Sequence, residues 1–491
     1  MKLHVSWFVL ANAAGIIVGD ILALVFKPTF MGGVLWVITS ILVFVVSMVI
    51  AAKPLIVLAF VSGIMLIFCR VTPDNISKEY INNMVGKDVT VVGKITKDPE
   101  EKDAGKKNLI LEDLEFEFFN DEGAQNIQKC GGKIFTQITN LDVGRSDKIV
   151  LSGAISEGIG NYMATVFRPE VKEIIHPEPG DLFLKFRNFF ADGIKKYLPE
   201  KEAGLGLGFL LGQKSGVDKG FQESLRVVGL THIIVASGAH LGVLISVARK
   251  IFGRLSRFSS LLSGIVFMAI FIGITGVSAS MLRAGLVVGI SLIAWYYGRK
   301  IHPLRLILLV AAITLMISPE YLTDLAWLLS FASFSGILII APVIARIFYG
   351  KSKKPGFIAS TFISSISASL LCTPILIYFY GSFSLISTIA NILILPTVSI
   401  AMGLTFLVGI FAIFVPLIAS IVCKAALWVL DYQIAVVEFF GDKKEFLVAI
   451  PAENPLIFLT YIPIAISLVV MVIWQRKKLR QRFLDIEPML A

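Results

Sequence analysis

The sequence predicts a polytopic α-helical membrane protein of about twelve spans, with a small all-β, OB-like barrel domain inserted near the N-terminus. Hydrophobic residues make up 56% of its 491 residues, and charged residues only 16%. The mean hydropathy is +0.81, whereas a soluble protein of this length needs a more polar surface. Residues 71–180 depart from this character, because they carry short, partly alternating runs rich in β-forming residues.

Residues 1–70 form the N-terminal group of membrane helices, with apolar runs at 5–26, 34–52 and 55–69. Roughly 20 apolar residues are needed to cross a hydrocarbon core, so the third run is marginal in length. The first run lacks a clear small-x-small cleavage site and is followed closely by further spans. We therefore interpret it as a retained helix rather than a removed secretory signal.

Residues 71–180 form the predicted β domain, in which five strand-like runs are separated by Gly, Asn and Asp. Five strands in about 90 residues are typical of a small OB-like barrel. Binding of single-stranded nucleic acid to an OB fold needs a basic groove with stacking aromatic side chains. The domain is acidic instead, with 13 Lys and Arg against 19 Asp and Glu. Two roles stay open: a nucleic-acid platform, or a gate or scaffold with aromatic residues in its core. The aromatic residues in question are Phe116, Phe118, Phe119, Phe135, Tyr162 and Phe167.

Residues 181–200 have the pattern of an amphipathic helix, which either lies in the headgroup plane of a membrane or packs against the β domain. The apolar residues predicted to share one face are Leu182, Phe186, Phe189, Phe190 and Ile194. The following segment, 202–212, is rich in glycine, which permits tight helix contacts. It is too short to span a bilayer, and we expect a re-entrant or interfacial helix there.

The next segment, up to residue 249, places polar side chains within an apolar run. His232, Ser237 and His240 lie there, and such groups usually line a bundle interior or a wet cavity, because exposure to lipid is costly. In an unbroken helix His232 and His240 would share a face. Gly238 between them allows a bend or the close approach of a neighbour. Something polar therefore passes, binds or reacts in this segment.

The amino-acid sequence of this segment resembles that of the ComEC family of bacterial competence proteins. The resemblance begins with L-L-G-Q-K-S-G, followed by F-x-x-S-L-R-V-V-G-L-T-H-I-I-V-A-S-G-A-H-L-G-V-L. At the positions of residues 237–240 the family usually has Ser-Gly-Leu-His. This chain has Ala239 in place of the leucine. Three later stretches also fit the family, at 275–286, 322–337 and 378–396. The resemblance implies a membrane channel domain over 201–474 that carries transforming, single-stranded DNA across the cytoplasmic membrane, and an OB-like domain before it.

The resemblance also bears on partners and cofactors. Many ComEC proteins add a metallo-β-lactamase-like domain, which needs an H-x-H-x-D-H cluster to hold two metals. The five histidines of this chain form no such cluster, and no P-loop motif is present. We therefore expect no enzyme activity, no cofactor and no metal. The expected partners are single-stranded DNA, the lipid bilayer, an extracytoplasmic DNA receptor, a separate ATP-driven translocase and a separate nuclease, with homo-oligomerisation left open. The four scattered cysteines predict neither a disulfide framework nor a zinc site.

Further ionisable or amide side chains lie in or beside later apolar runs. Arg283 either meets a phosphate or a carboxylate such as Asp324, or extends from a helix end to the interface. Asn391 and Pro396 interrupt a long apolar run, which predicts a broken or re-entrant helix beside a cavity. Nearby serines either bond helix backbones or form a polar track. The candidate residues of a DNA path are His232, Ser237, Gly238, His240, Arg283, Asp324 and Asn391.

Two other function classes compete with the channel. Ser237 and His240 are three residues apart and adjacent on a helix, which permits an intramembrane hydrolase with Ser237 as nucleophile. No third orienting group or oxyanion-hole motif accompanies them. A small-molecule transporter is the other alternative, although the sequence shows no internal repeat.

Basic residues indicate the orientation of the chain. The loops 249–257, 298–305 and 346–354 and the tail 475–491 are basic, whereas three intervening turns hold no Lys or Arg. The positive-inside rule places the basic loops and both termini in the cytoplasm and the β domain outside. The net charge of +10 fits this bias, and phosphate binding is the competing explanation.

Overall fold

The computed structural model describes most of the chain up to Asp442. The described residues are 5–26, 34–50, 56–101, 106–119, 125–139, 141, 143–158, 162–177, 181–212, 217–234, 238–254, 256–350, 355–384, 386–443, 447–449 and 460.

Three helices precede the β domain: α1 (Val5–Phe26), α2 (Val34–Ile50) and α3 (Ile56–Asn82). Helices α1 and α3 cross closely through glycines. A Cβ at Gly15 would overlap the carbonyl oxygen of Phe60, and a Cβ at Gly63 would overlap that of Asn12. Small residues of this kind let two membrane helices bring their backbones together.

Helix α3 extends thirteen residues beyond the apolar run that predicts it. The polar end of α3 has little apolar character of its own, but Ile81 and the following Met84 are buried in the core of the β domain. Tertiary packing therefore holds this end helical, which sequence propensity alone does not indicate. The first strand of the β domain begins at Asp88, and the domain boundary at residue 71 stays a prediction.

The described residues of the β domain contain eight strands. They are β1 (Asp88–Ile95), β2 (Glu100–Glu101), β3 (Lys106–Phe119), β4 (Gln125–Cys130), β5 (Ile134–Thr139), β6 (Lys148–Glu157), β7 (Ala164–Val166) and β8 (Glu170–Ile175).

Five of these strands close into a barrel, in the order β1-β3-β5-β7-β6 and back to β1. The β5–β7 pairing is parallel and the other four are antiparallel. The barrel fits the OB fold, which confirms the predicted domain type. Alternate residues of β1 point inward, and the core includes the fully buried Phe116. Phe135 stacks beside Tyr162 with ring centroids 5.5 Å apart, while Phe167 is exposed.

Helices α4 to α8 follow the barrel. They are α4 (Leu182–Lys195), α5 (Glu200–Leu211), α6 (Lys219–Val228), α7 (Thr231–Ile234) and α8 (Gly238–Phe252). The apolar face that the sequence predicts for α4 is buried in one part and exposed in another. Phe190 and Ile194 are buried, whereas Leu182, Phe186 and Phe189 are exposed, because the apolar face is wider than the neighbouring α15 (residues 387–414) covers. In α5, every residue from Ala203 to Leu211 is buried.

The rest of the described chain is mainly long helices. They are α9 (Arg257–Thr275), α10 (Ala279–Tyr296), α11 (Pro303–Ile317), α12 (Leu325–Ser335), α13 (Ala341–Tyr349), α14 (Phe357–Tyr380), α15 (Ser387–Phe414) and α16 (Pro416–Gly441). A 3-10 turn (Pro319–Thr323) precedes α12, and a π-helical turn (Gly336–Ile340) joins α12 to α13. Short strands β9 (Ser382–Ser384) and β10 (Leu447–Ala449) pair antiparallel.

Eight of the described helices are long and apolar enough to cross a membrane, counting α12 and α13 as one, and α2 and α11 contain shorter apolar stretches. The polytopic helical class is thereby confirmed. The count of about twelve spans stays a prediction, since residues 450–459 and 461–491 lie outside the described part.

The predicted break at Asn391 and Pro396 is wrong, because α15 continues through both residues. Proline lacks an N–H and normally disrupts a helix interior. Here the neighbouring α16 bonds polar groups on either side of the proline. The Tyr432 hydroxyl donates to the Leu393 carbonyl at 3.3 Å, and Gln433 donates to the Thr397 hydroxyl at 2.8 Å. Side chains of adjacent helices can satisfy polar groups around a proline in this way.

Candidate functional site

Gly238 is the point at which the polar central segment meets α10. A Cβ on this residue would lie 3.0 Å from the Ala284 Cβ and 3.2 Å from a terminal guanidinium nitrogen of Arg283. Both distances are shorter than ordinary contacts, so any side chain would push the two helices apart. Glycine therefore allows the start of α8 to approach Arg283 closely.

Arg283 is itself buried, with 8% of its surface exposed. Its Nε donates to the Ser330 hydroxyl of α12 at 2.6 Å, and Ser330 donates in turn to the Ser280 hydroxyl at 3.3 Å. The guanidinium carbon lies 4.9 Å from the centre of the Phe334 ring. The arginine is thus held between α8, α10 and α12 rather than extended to the membrane interface.

The serines near Arg283 divide between the two roles that the sequence leaves open. Ser278 accepts from the Met281 N–H as the N-cap of α10, and Ser333 donates to the Ser330 carbonyl. Both serve helix backbones. Ser280 and Ser330 instead form a short hydroxyl chain that ends on Arg283.

Asp324 does not neutralise Arg283. Its carboxylate caps α12 by accepting the Trp327 N–H at 2.9 Å, and among the described residues no carboxylate forms an ion pair with Arg283. A guanidinium carries five N–H donors, and Ser330 accepts one of them. Arg283 is therefore a buried cation that forms no ion pair with a described carboxylate, and one of its terminal nitrogens faces Gly238.

His240 is also buried, at 5% exposure. Its ring lies beside the Phe209 ring of α5, with 6.2 Å between the centroids. Next to it, a Cβ at Gly208 would lie 2.7 Å from the Ile234 side chain of α7. The glycine-rich α5 thus packs against the segment that carries His240. The side chain of His232 and the whole of Ser237 lie outside the described residues.

Asn391 lies elsewhere, on the buried face of α15, in the hydrophobic cluster that also holds α5 and α16. Its Oδ1 is buried and has no hydrogen-bond partner within the described chain. The same is true of the Thr405 hydroxyl and the Gln433 Oε1. Sequence reasoning missed Thr405 and Gln433, although an amide in the apolar α16 run is the kind of signal that marks an intramembrane polar site.

The candidate residues thus fall into three places. Gly238, His240 and Arg283 lie around the junction of α5, α8 and α10, Asp324 caps α12, and Asn391 lies on α15. In the part of the chain that the structure covers, no group of three or more His, Cys, Asp or Glu side chains is placed to hold a metal ion.

Comparison with known proteins places this site within a described family. The family model for the competence protein matches residues 209–477, which is more than half of the chain. ComE operon protein 3 of Bacillus subtilis (strain 168) is 28% identical over 220 residues, covering 43% of this chain and 27% of the relative. The match therefore spans little more than a quarter of that protein. No solved structure matches the chain. The segment with Gly238 and His240, and Arg283 on α10, all lie inside the matched family region, and the chain belongs to the ComEC family of competence proteins.

Proposed function

We propose that the membrane domain is a channel that passes single-stranded transforming DNA across the bacterial cytoplasmic membrane during natural competence. The observation that carries this proposal is the buried Arg283, which forms no ion pair among the described residues and is held against Gly238 of the central segment. A DNA strand presents one negative phosphate per nucleotide, and each of them is extremely unfavourable in hydrocarbon. A transport path therefore needs fixed donors within the helix bundle.

Arg283 has the properties that such a path requires. Its side chain is oriented in advance by Ser330 and by the Phe334 ring, so little conformational entropy is lost when an anion arrives. Arginine can also bind phosphate through two parallel hydrogen bonds. His240 and the segment around Ser237 contribute further polar groups to the same path in this proposal, while Asp324 and Asn391 line it at other depths.

The proposed orientation places the barrel outside the cell and both termini in the cytoplasm. Two barrel contacts support it. Arg145 of the barrel bonds backbone carbonyls at the end of α9, and Lys133 lies over the Tyr321 ring in the 3-10 turn. These helix ends adjoin turns without Lys or Arg, whereas the opposite ends of α9 and α11 adjoin the basic loops 249–257 and 298–305.

The acidic barrel acts as a scaffold or gate in this proposal and not as a tight DNA platform. Its core accounts for Phe116, and the acidic balance of residues 71–180 repels a phosphate backbone. The driving force and strand degradation come from other proteins: a DNA receptor outside the membrane, a cytoplasmic ATP-driven translocase and a nuclease. The channel itself is either a monomer or a homo-oligomer.

The test is entry of radiolabelled DNA into the cytoplasm of cells that carry Arg283→Leu. We expect loss of entry at unchanged protein level in the membrane, while the exposed Arg299→Leu leaves entry intact. Full entry with Arg283→Leu would remove this residue, and the observation behind the proposal, from the mechanism.

A further inference from the structure

Asp20 of α1 is a carboxyl group buried in the N-terminal membrane helices. Only 2% of its surface is exposed. Its Oδ2 makes no hydrogen bond within the described residues, and none of their cationic groups forms an ion pair with it. A membrane-embedded carboxyl with no partner is rare and usually functional, and neither the family match nor the proposed DNA path accounts for it.

The packing around Asp20 is tight and apolar. The preceding Gly19 fits against α3, where a Cβ would lie 2.5 Å from the Ile67 side chain. The cluster that surrounds this part of α1 includes Ala23, Val71 and residues of α11. Asn12 is another polar side chain in the contact between α1 and α3. It has a hydrogen-bond partner, since it donates to the Ser62 hydroxyl at 2.8 Å. The lack of partners at Asp20 is therefore a local property and not a general feature of the α1–α3 contact.

The arginines on the elements that pack against α1 interact with groups other than Asp20 in the part of the chain that the structure describes. Arg70 of α3 donates to the Ile317 carbonyl at 3.1 Å, and Arg305, the one charged residue of α11, lies over the Trp7 ring near the other end of α1. The 3-10 turn brings Glu320 and Tyr321, which interact with Lys133 of the barrel. Cys69 of α3 is buried and neutral, Lys78 and Glu79 lie two to three turns farther along α3, and α2 holds no charged residue.

We propose that Asp20 is a proton-binding site of the membrane domain. An ionised carboxylate in this apolar, unpartnered position would cost many kcal/mol, so the packing observed here requires the protonated acid. A single carboxyl without other oxygen ligands suits a proton rather than a metal cation, which needs several oxygens. Release of the proton leaves a bare charge between α1, α3 and α11 and favours their separation.

The position of Asp20 links this proton to the rest of the molecule. Helix α3 continues into the barrel core through Ile81, and α11 leads into the turn that contacts Lys133. Loosening of α1 against these helices therefore reaches two of the contacts between the barrel and the helices. The inference rests on the proposed function at one point, namely that proton binding and release at Asp20 accompany DNA passage.

The site itself is tested by infrared spectroscopy of the purified full-length protein in lipid nanodiscs, which separates the C=O stretch of a carboxylic acid from that of a carboxylate. We expect an acid band at neutral pH that disappears as pH rises and is missing in Asp20→Asn. Asp431→Asn removes an exposed aspartate of another membrane helix and should keep the band. No Asp20-dependent band, or a band that pH never changes while the protein stays folded, would overturn the proposal.

If Asp20→Asn fails to reach the membrane, Asp20→Glu with isotope-labelled aspartate gives the same answer. The label then shifts the wild-type band and leaves the glutamate band in place; a band at the wild-type position that still shifts in Asp20→Glu would contradict the assignment.

The link to transport is tested by DNA entry. Asparagine is neutral like the protonated acid and cannot release a proton. Asp20→Asn should therefore lower the rate of DNA entry about tenfold or more, while Asp20→Glu recovers part of that rate. Unchanged entry in Asp20→Asn would break the link. If deletion of the whole gene left entry unchanged, the proposed function would fail, but the infrared titration would still decide the proton site.

Discussion

The guanidinium of Arg145 and the carboxylate of Asp181 form a buried ion pair, 2.9 Å apart, at the junction of the barrel and α4. The same guanidinium donates to the Gly273 carbonyl of α9 at 3.0 Å. In a second pair the arginine lies on α4 and the aspartate on the barrel. Arg187 meets Asp98 there at 2.5 Å. The barrel is thus joined to α4 by two crossed arginine–aspartate pairs, although its own charge is negative.

The first prediction is that Arg145→Ala destabilises the attachment of the barrel by about 3 kcal/mol, because it leaves the buried Asp181 carboxylate unpaired. Thermal unfolding or limited proteolysis of the protein in detergent measures the change. The matched control is Lys129→Ala, which breaks the exposed pair with Glu115 and should leave stability almost unchanged. Equal effects from both variants would contradict the role given to Arg145.

The second prediction concerns acid. Burial disfavours the charged form of Asp181, but the Leu184 N–H, the Arg145 guanidinium and the Ser146 hydroxyl hold the pKa of this carboxyl below its ordinary value. A lowered pKa stabilises the fold above the unfolded pKa, and that stabilisation is lost as pH falls through the folded pKa. The barrel should therefore stay attached at mildly acidic pH and loosen only below about pH 4.

Protease sensitivity of the segment between the barrel and α4, measured against pH, checks this expectation. Asp181→Asn should be sensitive at all pH values, because the amide carries no charge to lose. Release of the wild-type barrel already between neutral and weakly acidic pH would show that Asp181 does not control the attachment.

The third prediction distinguishes positive charge from hydrogen bonding at Arg283. Arg283→Lys keeps the charge but loses the planar donor set, and Ser330→Ala removes only the hydroxyl that orients the guanidinium. We expect partial DNA entry in both and none in Arg283→Leu. If Arg283→Lys were as inactive as Arg283→Leu, two-point phosphate binding rather than charge would be the essential property.

The fourth prediction separates a channel from an intramembrane hydrolase. In a channel, Ser237→Ala keeps a small side chain in the path and should reduce DNA entry little, whereas His240→Leu removes a buried polar ring and should abolish it. In a hydrolase, loss of the nucleophile would be as damaging as loss of the histidine. DNA entry in the two variants, at matched membrane levels, is the comparison to make.

The fifth prediction concerns orientation. A cysteine at Lys129, whose side chain is largely exposed on the barrel, should react with a membrane-impermeant thiol reagent in intact cells. A cysteine at Arg299, exposed beside the loop between α10 and α11, should react only after permeabilisation. The native cysteines at 69, 130 and 423 are buried and should contribute little background. The reverse labelling pattern would invert the proposed topology.

The sequence alone was sufficient for the class of the molecule. Apolar runs of spanning length indicate membrane helices because the bilayer offers the backbone no hydrogen-bond partners, and alternation in residues 71–180 indicates a barrel because one side of each strand must be buried. Gly238 and Arg283 were also recognisable as candidates, because glycine permits a close helix contact and a charge in an apolar run needs a special environment.

Other features required the tertiary structure. Helix α15 continues through Pro396, beside which Tyr432 and Gln433 of a neighbouring helix form hydrogen bonds, and the helical end of α3 is packed in the barrel through Ile81. The same holds for the partners of Arg283: Ser330, 47 positions away, and not Asp324. Local pattern determines which residues are apolar enough to enter the membrane, but the partners of a buried polar group come from distant parts of the chain, and only the packed structure decides which of them lie within hydrogen-bond distance.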